Sequence, residues 1–131
     1  MKRFLLDTSA LLTLRDDEPG ADRVAALLRD PDASCFACFM TRMEVLYRVW
    51  KDEDELAGKL ALQQCLALPL AWVELSDELL RRAAEIKAGN TLSLADAWIA
   101  AAAIEQDAVL VHKDPEFKAL ALEQEVLPFK K

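Results

Sequence analysis

The chain has 131 residues, 53% hydrophobic and 30% charged, with a formal charge of −7. That length suits one domain, residues 1–131, able to bury about two thirds of its unfolded surface, and the composition argues against disorder. The acidic balance disfavours sequence-blind electrostatic binding to DNA or RNA, which needs a basic footprint. It leaves room for a nuclease whose acids hold divalent cations, because two such ions, with four positive charges, bring −7 to −3.

In chain order, residues 2–6 read as a short buried strand, followed by an apolar-periodic helix from Thr8 to about Arg15. "EPGADRVAALLRD" signals a turn and a second helix, with Val24, Leu27 and Leu28 on one face. "SCFACF" is a second strand, "TRMEVLYRVWKD" a helix opened by Thr41, and "EDELAGKLALQQCLAL" another, stopped by Pro69. "LAWVEL" is a third strand, and "SDELLRRAAEIKAG" a capped helix ending at Gly89. An alanine-rich helix, "SLADAWIAAAAIEQD", leads into a fourth strand, "AVLVH". "DPEFKALA" reads as a short helix and "EVLPF" as an edge strand, where Pro128 is tolerated. Strands alternating with helices and written as continuous apolar runs specify an α/β fold with a parallel sheet covered on both faces. In such sheets ligands bind beyond the carboxyl ends of the strands.

The amino-terminal "MKRFLLDTSALLTLRDD" has its apolar run broken by Asp7 and no small-x-small cleavage site, so a signal peptide is rejected. No apolar run approaches the ~18 residues that span a bilayer, and a soluble cytoplasmic protein without membrane contact is expected. Cys35 and Cys38 form a C-x-x-C inside a predicted strand. Residues three apart on a strand face opposite sides, which suits neither a shared metal nor a redox pair, so core cysteines are expected.

Four acids stand at equivalent places. Asp7 ends the first strand, Glu44 lies near the start of the helix after the second, Asp96 opens the alanine-rich helix, and Asp114 follows the fourth strand. Each has an ordinary explanation. Asp7 and Asp114 suit helix N-caps, Thr41/Glu44 has capping-box spacing that Ser93/Asp96 imitates, and Glu44 could pair with Arg48 one turn on. Asp96 resists this explanation most, because Leu92, Ile99, Ala100 and Ala103 share its face. A lone carboxylate entering such a stripe costs several kcal/mol unless compensated. In a parallel α/β sheet all four positions fall on one rim, where converging carboxylates repel unless a hard divalent ion such as Mg²⁺ or Mn²⁺ joins them. No Cys/His set suggests zinc.

With "LLDTSALL", "TRMEVLYR" and "LSLADAWIAAAAIEQDAVLVHKDPEF", the chain resembles the PIN domain, in particular the VapC-type toxins of bacterial toxin–antitoxin pairs. The resemblance covers nearly the full length. It implies a PIN-like α/β/α sandwich with a central, mainly parallel four- to five-stranded sheet. It further implies that Asp7, Glu44, Asp96 and Asp114 bind Mg²⁺ or Mn²⁺ and cleave RNA, leaving 5′-phosphate and 3′-hydroxyl ends. Ser9 matches a small polar residue near the metal, and Glu116 a variable additional acid. A homodimer and a cognate antitoxin that inserts a segment into the active groove are implied too. The chain departs from the family where relatives commonly show Thr-Arg before the fourth acid, since it has His112-Lys113. His112 is expected to be a partly buried neighbour of the site rather than a general base. Arg15, Arg42, Arg48, Lys87 and Lys113 are candidate phosphate contacts.

Other chemistries fit less well. A phosphotransfer receiver wants paired acids after strand one, and a haloacid-dehalogenase-like site wants D-x-D, where this chain has "DTS". Gly-rich phosphate loops are absent. The rival from another class is a non-catalytic PIN-like protein-interaction module, to which the −7 charge gives some support.

Overall fold

In a computed structural model, which describes residues 2–129, the first strand β1 (Lys2–Leu6) buries Phe4, Leu5 and Leu6. Successive side chains point to opposite faces, so Leu5 enters one apolar layer and Phe4 and Leu6 the other. Burial on both faces is the condition of a central parallel strand. β1 occupies that position, pairing in parallel with β2 (Ala33–Cys38) on one side and β4 (Val109–His112) on the other. The sheet is completed by β3 (Ala71–Val73) beside β2 and β5 (Gln124–Val126) beside β4, giving the order β3-β2-β1-β4-β5, all parallel.

Six α-helices among the described residues cover it. The Phe4/Leu6 face receives α1 (Thr8–Arg15), α2 (Ala21–Arg29), α3 (Phe39–Asp52) and α4 (Glu55–Leu66). The Leu5 face receives α5 (Asp77–Gly89) and α6 (Leu94–Glu105). This is the α/β/α sandwich expected, with five strands. α6 is the most enclosed helix: Ile99 and Ala100 to Ala103 are fully buried, and their small side chains let it lie close on the sheet. Cys35 and Cys38 are free and buried in opposite layers, as alternation requires. Among the described residues no helix is long and apolar enough to cross a membrane.

Two local expectations are corrected. α3 begins at Phe39 with Cys38 at its N-cap and no side-chain cap, so Thr41 lies inside the first turn and Glu44 in the second. No capping box forms there. The stretch from Asp114 forms only a 3-10 turn, Pro115–Phe117. The carbonyls of Phe117 and Leu120 accept from Leu120 N and Leu122 N in tight turns and also from the side-chain amide of Gln124, as the chain bends back to supply β5.

From β1 the chain steps outward to β2 and β3 on one side, while β4 and β5 extend the other. The carboxyl ends of β1 and β4 therefore border the crevice where strand order reverses, the usual ligand position in open parallel sheets.

Candidate metal centre

Asp7 leaves β1 at this crevice. Its amide donates to Val111 O (3.1 Å), and its Oδ1 accepts from Ala10 N (2.8 Å) and the Ser9 hydroxyl (2.6 Å). It is thus the N-cap of α1 and a site acid at once, buried to 2% exposure. Burial drives its carboxyl up to about 7 against those two hydrogen bonds, and the charges of Asp114 and Glu44 add to the rise. Ser9 also accepts from Lys113 N (3.0 Å), tying the start of α1 to the loop that follows β4.

Asp96 enters from the first turn of α6. Ser93 caps that helix by accepting from Asp96 N (3.1 Å), but the reciprocal bond to Ser93 N comes from Glu116 Oε1 (3.2 Å), not from Asp96. The Asp96 carboxyl is thereby released toward the crevice. Burial first, then hydrogen bonds with Glu116 and Asp114 and the charges of Asp114 and Asp7, hold its carboxyl well above the usual carboxylate range, at about 9. Exposed Glu116 moves down because it accepts the proton that Asp96 keeps, with help from Ser93 N–H.

Asp114 caps the 3-10 turn, accepting from Glu116 N (2.9 Å). Carboxylate oxygens of Asp96, Asp114 and Glu116 all lie within 4.8 Å of one another. Asp7 stands beside this trio, close enough for its charge to be felt by Asp96. Glu44 reaches in from α3, its Oε1 held by the Thr8 hydroxyl at 2.6 Å. Thr8 has one proton, so Thr41 Oγ1, 3.1 Å away, must donate its own to Thr8. The structure sets Glu116, read from sequence as accessory, in the tight trio with Asp96 and Asp114; Asp7 stands outside the trio but near it, and Glu44 on the Asp7 side.

His112 is buried at 2% exposure, with both ring nitrogens engaged: Nδ1 accepts from Asp114 N (2.9 Å) and Nε2 lies 2.8 Å from Gln124 Oε1. Burial pushes its pKa down, so the ring is neutral and has no free nitrogen to act as a base. Among the candidate phosphate contacts, Arg15 pairs with Asp16 (2.8 Å) and Glu53 (3.1 Å), and Arg42 pairs with Glu74 over the Trp72 ring. Lys87 Nζ donates to Leu92 O (2.7 Å) beside Glu116, and Lys113 Nζ to Pro19 O (2.9 Å). Exposed Arg48 lines a groove of about 460 Å³ with Ser9, Arg15 and Lys113. The ion pair between Glu44 and Arg48 considered from sequence does not form among the described residues. Sequence reasoning missed Thr8, Thr41 and Gln124; the signals were a hydroxyl directly after Asp7 and another three residues before Glu44.

The sequence model of the PIN domain matches residues 4–123. The chain belongs to the PIN domain family. Solved structures with the same fold include VapBC2 of Rickettsia felis bound to a promoter DNA fragment, at 19% identity and a TM-score of 0.78. That match covers 96% of this chain and 99% of the other. DNA-bound VapBC of Salmonella typhimurium matches at 20% identity and TM-score 0.75, covering 96% and 98%. VapC20 of Mycobacterium tuberculosis, described as a sarcin-ricin loop cleaving toxin, matches at 18% and 0.75, covering 95% and 99%. No curated protein matches significantly in sequence.

Proposed function

We propose that this PIN domain is a cytoplasmic Mg²⁺- or Mn²⁺-dependent ribonuclease, the toxin of a toxin–antitoxin pair, acting as a single-domain homodimer restrained by a cognate antitoxin. The observation that carries the reading is the oxygen-only cluster at the switch point, in which carboxylate oxygens of Asp96, Asp114 and Glu116 lie within 4.8 Å of one another beside buried Asp7. Such donors suit hard divalent ions. Asp96, Asp114 and Glu116 would hold the ion, with Asp7 and Glu44 directly beside it. When bound, it would lower the pKa of water and offset the charge building on the scissile phosphate.

The chain's own residues do the rest. Thr8 and Thr41 keep Glu44 turned into the crevice, and Ser9 keeps the ends of β1 and β4 in register. Exposed Arg48 would meet a phosphodiester backbone along the groove beside Ser9, against the acids Asp16, Glu18, Asp52 and Glu53 that also line it.

The test is cleavage of a mixed RNA substrate with Mg²⁺ or with chelator. Wild type should cleave only with the ion, and Asp7→Asn and Asp96→Asn should be inactive but folded. Unchanged cleavage by the double variant would remove the assignment. The second reading, a non-catalytic interaction module, is favoured by the −7 charge. Calorimetry with Mn²⁺ separates the two: saturable binding lost in Asp7→Asn supports the enzyme, and no binding at millimolar ion supports the module.

A further inference from the structure

We propose that Gln124, on edge strand β5, is a positioning residue for the metal centre: its amide fixes the tautomer of His112, and His112 in turn holds the backbone of Asp114. The inference rests on reading Asp114 as a metal ligand for its functional consequence, but the relay itself is a property of the metal-free protein.

The chain of contacts admits one arrangement. The amide of Asp114 is always a donor, so His112 Nδ1, 2.9 Å away, must accept. The ring proton is then on Nε2, which faces Gln124 Oε1 at 2.8 Å. The Gln124 amide cannot present its other end, because its nitrogen is committed to two carbonyls, Phe117 O (2.8 Å) and Leu120 O (3.3 Å). Turning it over would set its oxygen against those carbonyls and its N–H groups against Nε2. His112 would then carry its proton on Nδ1 and point it at the Asp114 N–H, a clash of two donors. Every polar atom in the series is satisfied in one state and several are orphaned in the other.

The relay controls the loop that bears two of the trio. His112 ends β4, its carbonyl accepts from Leu127 N (2.7 Å), and its ring meets Phe117 edge-on with centroids 4.8 Å apart. Gln124 binds the far side of the same turn through Phe117 O. Asp114 and Glu116 are therefore oriented from behind by an uncharged side chain that never reaches the ion. His112, with an acceptor at Nδ1 and a donor at Nε2, is what makes the relay possible. Outer partners of this kind typically change metal affinity 10–100-fold when removed.

The experiment pairs ¹⁵N NMR of the metal-free protein at pH 8 with Mn²⁺ calorimetry. Wild type should show the Nε2–H tautomer at His112 and a slowly exchanging Asp114 amide. Gln124→Leu, close in volume and on an edge strand, should give mixed tautomers, a faster-exchanging Asp114 amide and 10–100-fold weaker Mn²⁺ binding. His112→Asn, whose Oδ1 stands where Nδ1 stood, should keep Mn²⁺ affinity within a few-fold, whereas His112→Gln, which loses that acceptor, should not. An Nδ1–H tautomer in wild type, or equal Mn²⁺ affinity in folded Gln124→Leu and wild type, would overturn the proposal. A wild type that shows the tautomer but binds no Mn²⁺ would support the relay and sink the nuclease reading instead.

Discussion

Replacing Asp7 by Asn should stabilise the metal-free protein, and the size of the gain follows from the structure. The carboxyl is buried and held at about 7 against an ordinary 3.8. At about 1.4 kcal/mol per tenfold change in proton affinity, ionising it in the folded state costs roughly 4 kcal/mol. Asn keeps an oxygen to accept from Ala10 N and Ser9, so the cap of α1 survives. It gives up the charge that favours a helix N-terminus, about 0.3–1 kcal/mol. A net gain of about 2–4 kcal/mol is expected above pH 7, or a rise in Tm of roughly 6–12 °C for a chain of this size. The sign with pH is fixed. Below the unfolded value both states are protonated and wild type and variant should melt together; the gap should open between pH 4 and 7, where only the unfolded carboxyl ionises, and stay constant above. Calorimetric melts in chelator at pH 4, 6 and 8 measure this, and millimolar Mn²⁺ at pH 8 should raise wild type but not the variant. Equal melting at pH 8, or a gain already complete at pH 4, would refute the reasoning.

Four further outcomes are expected. Mn²⁺ affinity should rise with pH between about 6 and 9, with protons released on binding, because the ion must displace them from Asp7 and Asp96; calorimetry in buffers of different ionisation enthalpy counts them. Thr8→Val removes the hydroxyl that holds Glu44, so RNA cleavage should fall about 10–100-fold while circular dichroism stays native. Gly58→Ala should destabilise by about 1–2 kcal/mol in urea titration, since the new Cβ would stand 2.7 Å from Leu46 O and 3.1 Å from Trp50 N, backbone atoms that cannot turn aside; overpacking outweighs the helix-propensity gain of about 1 kcal/mol. Thr13→Val should stabilise by about 1–2 kcal/mol in the same assay, because the buried Thr13 hydroxyl has no partner among the described residues.

Alternating apolar runs and helical periods made the order of strands and helices readable, because burial on both faces of β1 and along α6 writes directly into residue type. The rim positions of the acids followed from that order. Less legible were features set by contacts distant along the chain. α3 starts early, at Phe39, and Thr41 lies inside its first turn, where its hydroxyl meets Thr8 of α1 instead of capping the helix. The helix foreseen after Asp114 shrinks to one turn, its following carbonyls shared between tight local turns and the Gln124 amide. Glu116 looked peripheral because its place opposite Ser93 N, which pulls it into the cluster, joins segments that only the fold brings together. Candidate cations were legible as charges, but their engagement with Glu53, Glu74 or a backbone carbonyl was not.

β1 stands in the middle of the sheet yet precedes every strand it pairs with, and Leu6 meets Val111 only after β2, β3 and the helices between them have been made. During synthesis Asp7 and Glu44 leave the ribosome well before Asp96, and the central strand waits with one side open. A nascent chain therefore carries its earliest acids in pieces that cannot yet meet the rest of the cluster. The proposed site exists only after Asp96, Asp114 and Glu116 have been made and β4 has paired with β1.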